Sequence, residues 1–221
     1  LVREEILPAE IAAPVFISPY LEPYPEPWPV PVGISARHIH LTQRDLEELF
    51  GPGYQLTPAK PLSQPGQYAA QETLTLVGPK GVLEEVRILG PCRPYNQVEL
   101  SGTDAYQLGL DPPIRDSGDL DGTPGIVLVG PRGSVDLPFG VIKAAPHLHL
   151  DPATARQHGL EDGDRLQILA EGEKEVVFNN VLVRVSRDYL PDFHLDTDEA
   201  NAAGIRQGQQ VLVIAKRLLP A

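Results

Sequence analysis

Four of the six histidines in this chain come as two His-x-His pairs, His38/His40 in SARHIHLT and His147/His149 in AAPHLHLD. Residues two apart on a β-strand point to the same face, so each pair can offer two imidazole nitrogens to one ion at about 2.0–2.1 Å. The intervening Ile39 and Leu148 then point the other way, into a core. One such pair is a weak signal, but here the pattern recurs. Laying residues 149–169 on 194–214 at a constant offset of 45 matches His149 with His194, Asp151 with Asp196, Ala155 with Ala200, Gly159 with Gly204 and Gly163 with Gly208. Both copies read as a histidine, a short helix capped by the aspartate, a glycine at the helix end and a strand. HLTQRDLEELFG, from His40, and TDAYQLGL, from Thr103, echo the helix-then-glycine part. Glu99, on a short strand just before the Thr103 helix, takes the corresponding place in that unit and is a candidate further ligand. His158, inside TARQHGL, is assigned a structural role.

Arg93 lies six residues before Glu99 in LGPCRPYNQVE, in a proline-flanked turn. A guanidinium with a fixed origin beside a metal offers paired donors that match phosphate or carboxylate geometry. Its neighbour Cys92 is the only cysteine and is read as a packing residue, not a nucleophile. No Walker loop, Gly-x-Gly-x-x-Gly, Gly-x-Ser-x-Gly elbow or Cys-x-x-Cys occurs. The residues point to one or two Zn²⁺ ions beside an anion pocket, although Fe or Co could take the same ligands.

Strand ends must carry these side chains, and the sequence supplies strands. TLTLVG, VLEEVRIL, GIVLVG, RLQIL, EVVFNNVLVRV and QVLVI alternate with Gly/Pro turns. VGPKGVL and VGPRGSV share a Gly-Pro-basic-Gly core and predict two hairpins, with proline presetting φ and glycine supplying a positive φ. The 20 Gly and 24 Pro in 221 residues favour short strands over long helices. The fold expected is mainly β (α+β), built as compact barrels or sandwiches. PYLEPYPEPWPVP predicts an extended Pro-rich arm over residues 1–31, able to pack through Phe16, Tyr20, Tyr24 and Trp28. Two regions follow, residues 32–139 and 140–221, with strands that could be exchanged between them. A net charge of −12 argues against nucleic acid as a partner, since phosphate neutralisation needs clustered cations. A lone cysteine asks for no oxidising compartment, and no stretch reads as a membrane span or signal peptide, so a cytoplasmic location is expected.

Five motifs, in order, are also familiar: GISARHIHLT, QPGQYAAQETLTL, ILGPCRPYNQVELSGTDA, HLHLDPATA and HLDTDEANAAG. Over about residues 32–215 the chain resembles the PduL-type phosphate propanoyltransferases (phosphotransacylases). The resemblance implies two small β-barrels capped by short helices. It implies interconversion of an acyl-CoA plus phosphate with an acyl phosphate plus CoA, and two Zn²⁺ per chain. Carried over residue by residue, it implies His38, His40 and Glu99 at one zinc and His147, His149 and His194 at the other, with Arg93 holding phosphate. CoA contacts would fall on Ile34, Ser35, Ala36, Lys80, Arg87 and Asn201. The family usually has arginine before the second His-x-His, where Pro146 stands here. Pro8 and Pro14 break any amphipathic encapsulation helix, which favours the free cytoplasmic form over a microcompartment one. A homodimer is expected. The leading reading is direct attack of phosphate on a short-chain thioester, acetyl or propanoyl. Its rivals are a dinuclear zinc hydrolase, which would release CoA without phosphate, and a cupin-like metal-binding protein without turnover.

Overall fold

The structure is a computed structural model that describes residues 20–218. Phe16, and the Pro8 and Pro14 on which the encapsulation expectation rested, lie outside the described residues. Strands dominate and fall into two units. One is a closed barrel of six strands in the order β1 (Leu21–Ser35), β14 (Asp192–Asp196), β11 (His147–Leu150), β13 (Val176–Val185), β12 (Arg165–Ala170) and β15 (Gln210–Arg217). The other is a nine-stranded sheet that does not close. Its order is β7 (Ile114–Arg115), β10 (Val141–Ala144), β6 (Gln97–Glu99), β2 (His38–His40), β5 (Val82–Gly90), β4 (Tyr68–Val77), β8 (Ile126–Val129) and β9 (Ser134–Leu137), with β3 (Pro58–Pro61) beside β4. Two barrel-like units capped by short helices are thus present, the second as a half-barrel. Each has its own core: Trp28, Val32, Leu148, Ile168 and Phe193 in the barrel, and Ile39, Leu46, Leu76, Ile88 and Leu128 in the half-barrel.

Residue 31 falls within β1, most of which was expected to be an arm, and β10, beyond residue 139, pairs with β6 and β7 of the half-barrel, an exchange of the kind the sequence left open. The spacing of the prolines lets β1 be a strand. Pro23, Pro25, Pro27, Pro29 and Pro31 occupy alternate positions, so Trp28, Val30 and Val32 between them all face the core. Residues of the other parity bond towards β15: the Val32 N–H donates to the Gln209 carbonyl. The Pro29 and Pro31 nitrogens, on the continuous stretch of that ladder, therefore point away from it, which is where a strand tolerates proline. His158, at the end of α3 (Pro152–Gln157), stacks flat on Trp28 at 3.8 Å, in keeping with a structural role.

Four repeats of strand, cap and helix position the site. Thr42 caps α1 (Gln43–Phe50) after β2, and Ser101 caps α2 (Gly102–Leu108) after β6. Asp151 caps α3 after β11, and Asp196 caps α4 (Thr197–Ala203) after β14. In each, the side-chain oxygen accepts from an otherwise orphaned N–H of the first turn. The Gly-Pro-basic-Gly turns do join β4 to β5 and β8 to β9, but their glycines are not among those with positive φ. What they require is close approach. A side chain at Gly78 or Gly130 would strike the Leu108 or Leu49 backbone at the end of α2 or α1. From the same turns the Lys80 and Arg132 N–H groups donate to the Leu108 and Leu49 carbonyls, so each turn also satisfies a helix end.

Candidate active site

The two antiparallel strand pairs β2·β6 and β11·β14 each lay a polar doublet against another. In the half-barrel His38 faces Glu99 and His40 faces Gln97. In the closed barrel His147 faces His194 and His149 faces Asp192. The side chains in the middle, Ile39, Val98, Leu148 and Phe193, are fully buried in the two cores, which fixes the register and hence the face each doublet shows.

The first cluster is His38, His40 and Glu99, whose candidate ligand atoms lie within 4.8 Å of one another. His38 Nδ1 donates to the Ala36 carbonyl at 2.9 Å, which turns Nε2 towards His40 Nε2 (3.2 Å) and Glu99 Oε2 (3.5 Å). Burial opposes charge on His38, but Glu99 outweighs it and raises the His38 pKa above its ordinary value. His40 is held well below its ordinary value, first by burial and then by His38, so it is neutral. Burial works against ionisation of Glu99 too, yet the surrounding His38, His40 and His147 drive its carboxyl far below the usual range. A carboxylate and two imidazoles converge.

The second cluster, His147, His149 and His194, is equally tight, again within 4.8 Å. His147 Nδ1 donates to the Ala145 carbonyl at 2.8 Å, the counterpart of the His38 bond. Burial, then the charge of His194, lowers His147 to about 4. Burial, then His147 and His194, lowers His149 to about 2. Both therefore stand neutral with lone pairs available at pH 7. His149 Nδ1 is moreover buried without a hydrogen-bond partner. Neutral imidazoles, a carboxylate and an orphaned buried ring nitrogen are a donor set that fits Zn²⁺.

Both clusters line one cavity of about 620 Å³ between the units. Arg93 lines it beside the first cluster, its Nη1 3.3 Å from Ser117 Oγ and its backbone N–H donating to the Leu41 carbonyl. The family model described as "PTAC: Phosphate propanoyltransferase" matches residues 31–206. The chain belongs to the phosphate propanoyltransferase family. Curated phosphate propanoyltransferases from Thermotoga maritima, Salmonella typhimurium and Rhodopseudomonas palustris are 54%, 53% and 48% identical to it. The three alignments cover 83%, 79% and 84% of this chain and 88%, 83% and 82% of the respective relatives. This makes the chain an acyltransferase.

For a phosphate propanoyltransferase the remaining expected residues divide into two groups. Ile34, Ser35, Ala36 and Arg87 line the cavity with both clusters. Lys80 instead lines a small separate pocket with Tyr106, Gln107 and Asp111, and exposed Asn201 on α4 has its carbonyl near Lys174 Nζ (3.2 Å). Neither is in the cavity wall. Conversely, Arg184, Tyr189, Gln97, Asp192 and Ser117 belong to the site and were not singled out from sequence. Arg184 lies opposite His149 on β13, and Tyr189 packs its ring on His149 at 4.1 Å. Gln97-x-Glu99 and Asp192-x-His194 are i, i+2 doublets like the histidine pairs, and that spacing was the available signal. Pro146 leaves its carbonyl to accept from the Leu182 N–H, so β11 keeps its ladder there. Among the described residues, no helix is long and apolar enough to cross a membrane.

Proposed function

We propose that the protein interconverts a short-chain acyl-CoA, propanoyl or acetyl, and phosphate with the acyl phosphate and CoA, at two zinc ions held by the two clusters. The observation that carries this reading is the convergence of both three-residue clusters and Arg93 on one cavity. His38, His40 and Glu99 would hold one ion and His147, His149 and His194 the other. Zinc bound there would act as a Lewis acid towards the thioester carbonyl or the departing thiolate. Arg93, tethered by Ser117, presents donors to the phosphate dianion and offsets its charge. A phosphate oxygen attacks the carbonyl carbon, the C–S bond breaks, and CoA leaves as the thiolate. No acyl-enzyme is needed. Burial pushes the thiol of Cys92 up, so it stays protonated and is a poor nucleophile.

Ile34, Ser35, Ala36 and Arg87 would meet the thiol-bearing arm of CoA. Lys80 and Asn201 would have to meet its distal parts outside the cavity. The test is CoA release from propanoyl-CoA with and without phosphate, with zinc content measured on the same sample. Phosphate-dependent release with acyl phosphate formed is expected, and release indifferent to phosphate would make the protein a hydrolase. Arg93→Ala is expected to raise the KM for phosphate far more than that for acyl-CoA.

A further inference from the structure

The third member of each cluster is braced in the same way, by opposite chemistry. Glu99 accepts a hydrogen bond from Gln97 Nε2 at 2.6 Å, two residues earlier on β6. Gln97 is fully buried, donates also to Ser117 Oγ at 2.8 Å, and accepts from the Gly118 N–H at 2.8 Å. His194 donates from Nε2 to Asp192 Oδ2 at 2.8 Å, two residues earlier on β14. This leaves Nδ1 as the ring nitrogen free for a cation, and the carboxylate behind the ring fixes its orientation. Asp192 is buried, and Ser63 and Gln64 lie beside it. These sit in the loop between β3 and β4, in the half-barrel. Gln64, also buried, grips the chain, donating to the Leu190 carbonyl and accepting from the Leu190 N–H, both at 3.2 Å. Where the ligand is a carboxylate its brace is an amide, and where the ligand is an imidazole its brace is a carboxylate. One carboxylate thus serves each cluster, Glu99 as a member of the first and Asp192 behind His194 of the second.

We propose that Gln97 and Asp192 are equivalent positioning residues, each fixing the third ligand of one cluster. We further propose that Gln64 of the half-barrel supports the closed barrel's cluster by anchoring Leu190, two residues before Asp192. This rests on the reading that the clusters bind zinc. The experiment is release of zinc from the fully loaded protein to a chromogenic chelator, with metal content before and after. In Asp192→Asn one of two ions is expected to leave about 10–100-fold faster and the other at the wild-type rate. Gln64→Ala should accelerate one ion by a smaller factor, and it carries the test if Asp192→Asn does not fold. Gln97→Leu should also accelerate one ion, and the double variant Gln97→Leu/Asp192→Asn both. Release of both ions at the wild-type rate, or equal acceleration of both in Asp192→Asn, would overturn the assignment while leaving the zinc reading intact. A wild-type protein that binds no zinc overturns both.

Discussion

Glu199 stands in an acidic corner where α4 begins, and its replacement by glutamine should make the protein more stable above neutrality. Burial, then Asp196 and Asp198, raises its carboxyl from 4.5 to about 7. The Asp196 N–H donates to Glu199 Oε2 at 2.8 Å within a capping box, and a glutamine amide oxygen can accept the same bond. The folded state therefore prefers the protonated acid. Its contribution is fully present below about pH 4.5 and is lost as the pH rises through about 7. At 1.36 kcal/mol per unit the rise corresponds to about 3 kcal/mol, which partial solvent access reduces to about 1–2 kcal/mol. Glu199→Gln should match the wild type near pH 4.5 and exceed it by that amount at pH 8, a Tm gain of about 2–8 °C for a chain this size. Urea unfolding of both proteins across pH 4.5–8 reads the difference, in which the titration of every unchanged group cancels. A constant difference across that range, or a glutamine variant weaker at pH 8, would refute the reasoning.

Further predictions concern the site and the barrel. Gly33→Ala places a methyl 2.8 Å from His194 Cδ2 and 2.9 Å from both Asp192 carboxylate oxygens, so it should cut zinc content and turnover together, as metal analysis and the CoA-release assay will show. Trp28→Ala removes a core indole and its stack on His158 and should cost about 3–5 kcal/mol, read by urea unfolding. Exhaustive chelation should abolish acyl transfer and lower the Tm, and stoichiometric Zn²⁺ should restore both.

The histidine doublets were legible because a strand's period of two converts sequence spacing directly into a shared face. Helix caps were legible for a similar reason: Asp151 and Asp196 act within three residues of themselves. Gln97-x-Glu99 and Asp192-x-His194 obey the same spacing, yet glutamine and aspartate are common enough that the pattern stands out only when the ladders set them opposite histidines. Arg184 and Gln64 owe their places to strand order and loop docking, which nothing local encodes. The hairpin glycines were read through their backbone freedom, whereas the constraint at Gly78 and Gly130 is the nearness of a helix end dozens of residues away in sequence.

The course of the chain after β1 shows how the two units come to share a cavity. Because β1 belongs to the closed barrel and β2 to the half-barrel, the chain passes from one to the other through Ala36 and Arg37. The Ala36 carbonyl orients His38, and Arg37 bonds Asp104 of α2 at 2.5 Å, so the crossover is tied down at the first cluster. The return crossing, after β10, repeats the arrangement: the Ala145 carbonyl orients His147 at the start of β11. Each crossing thus delivers a histidine doublet to the cavity and sets the tautomer of its first ring.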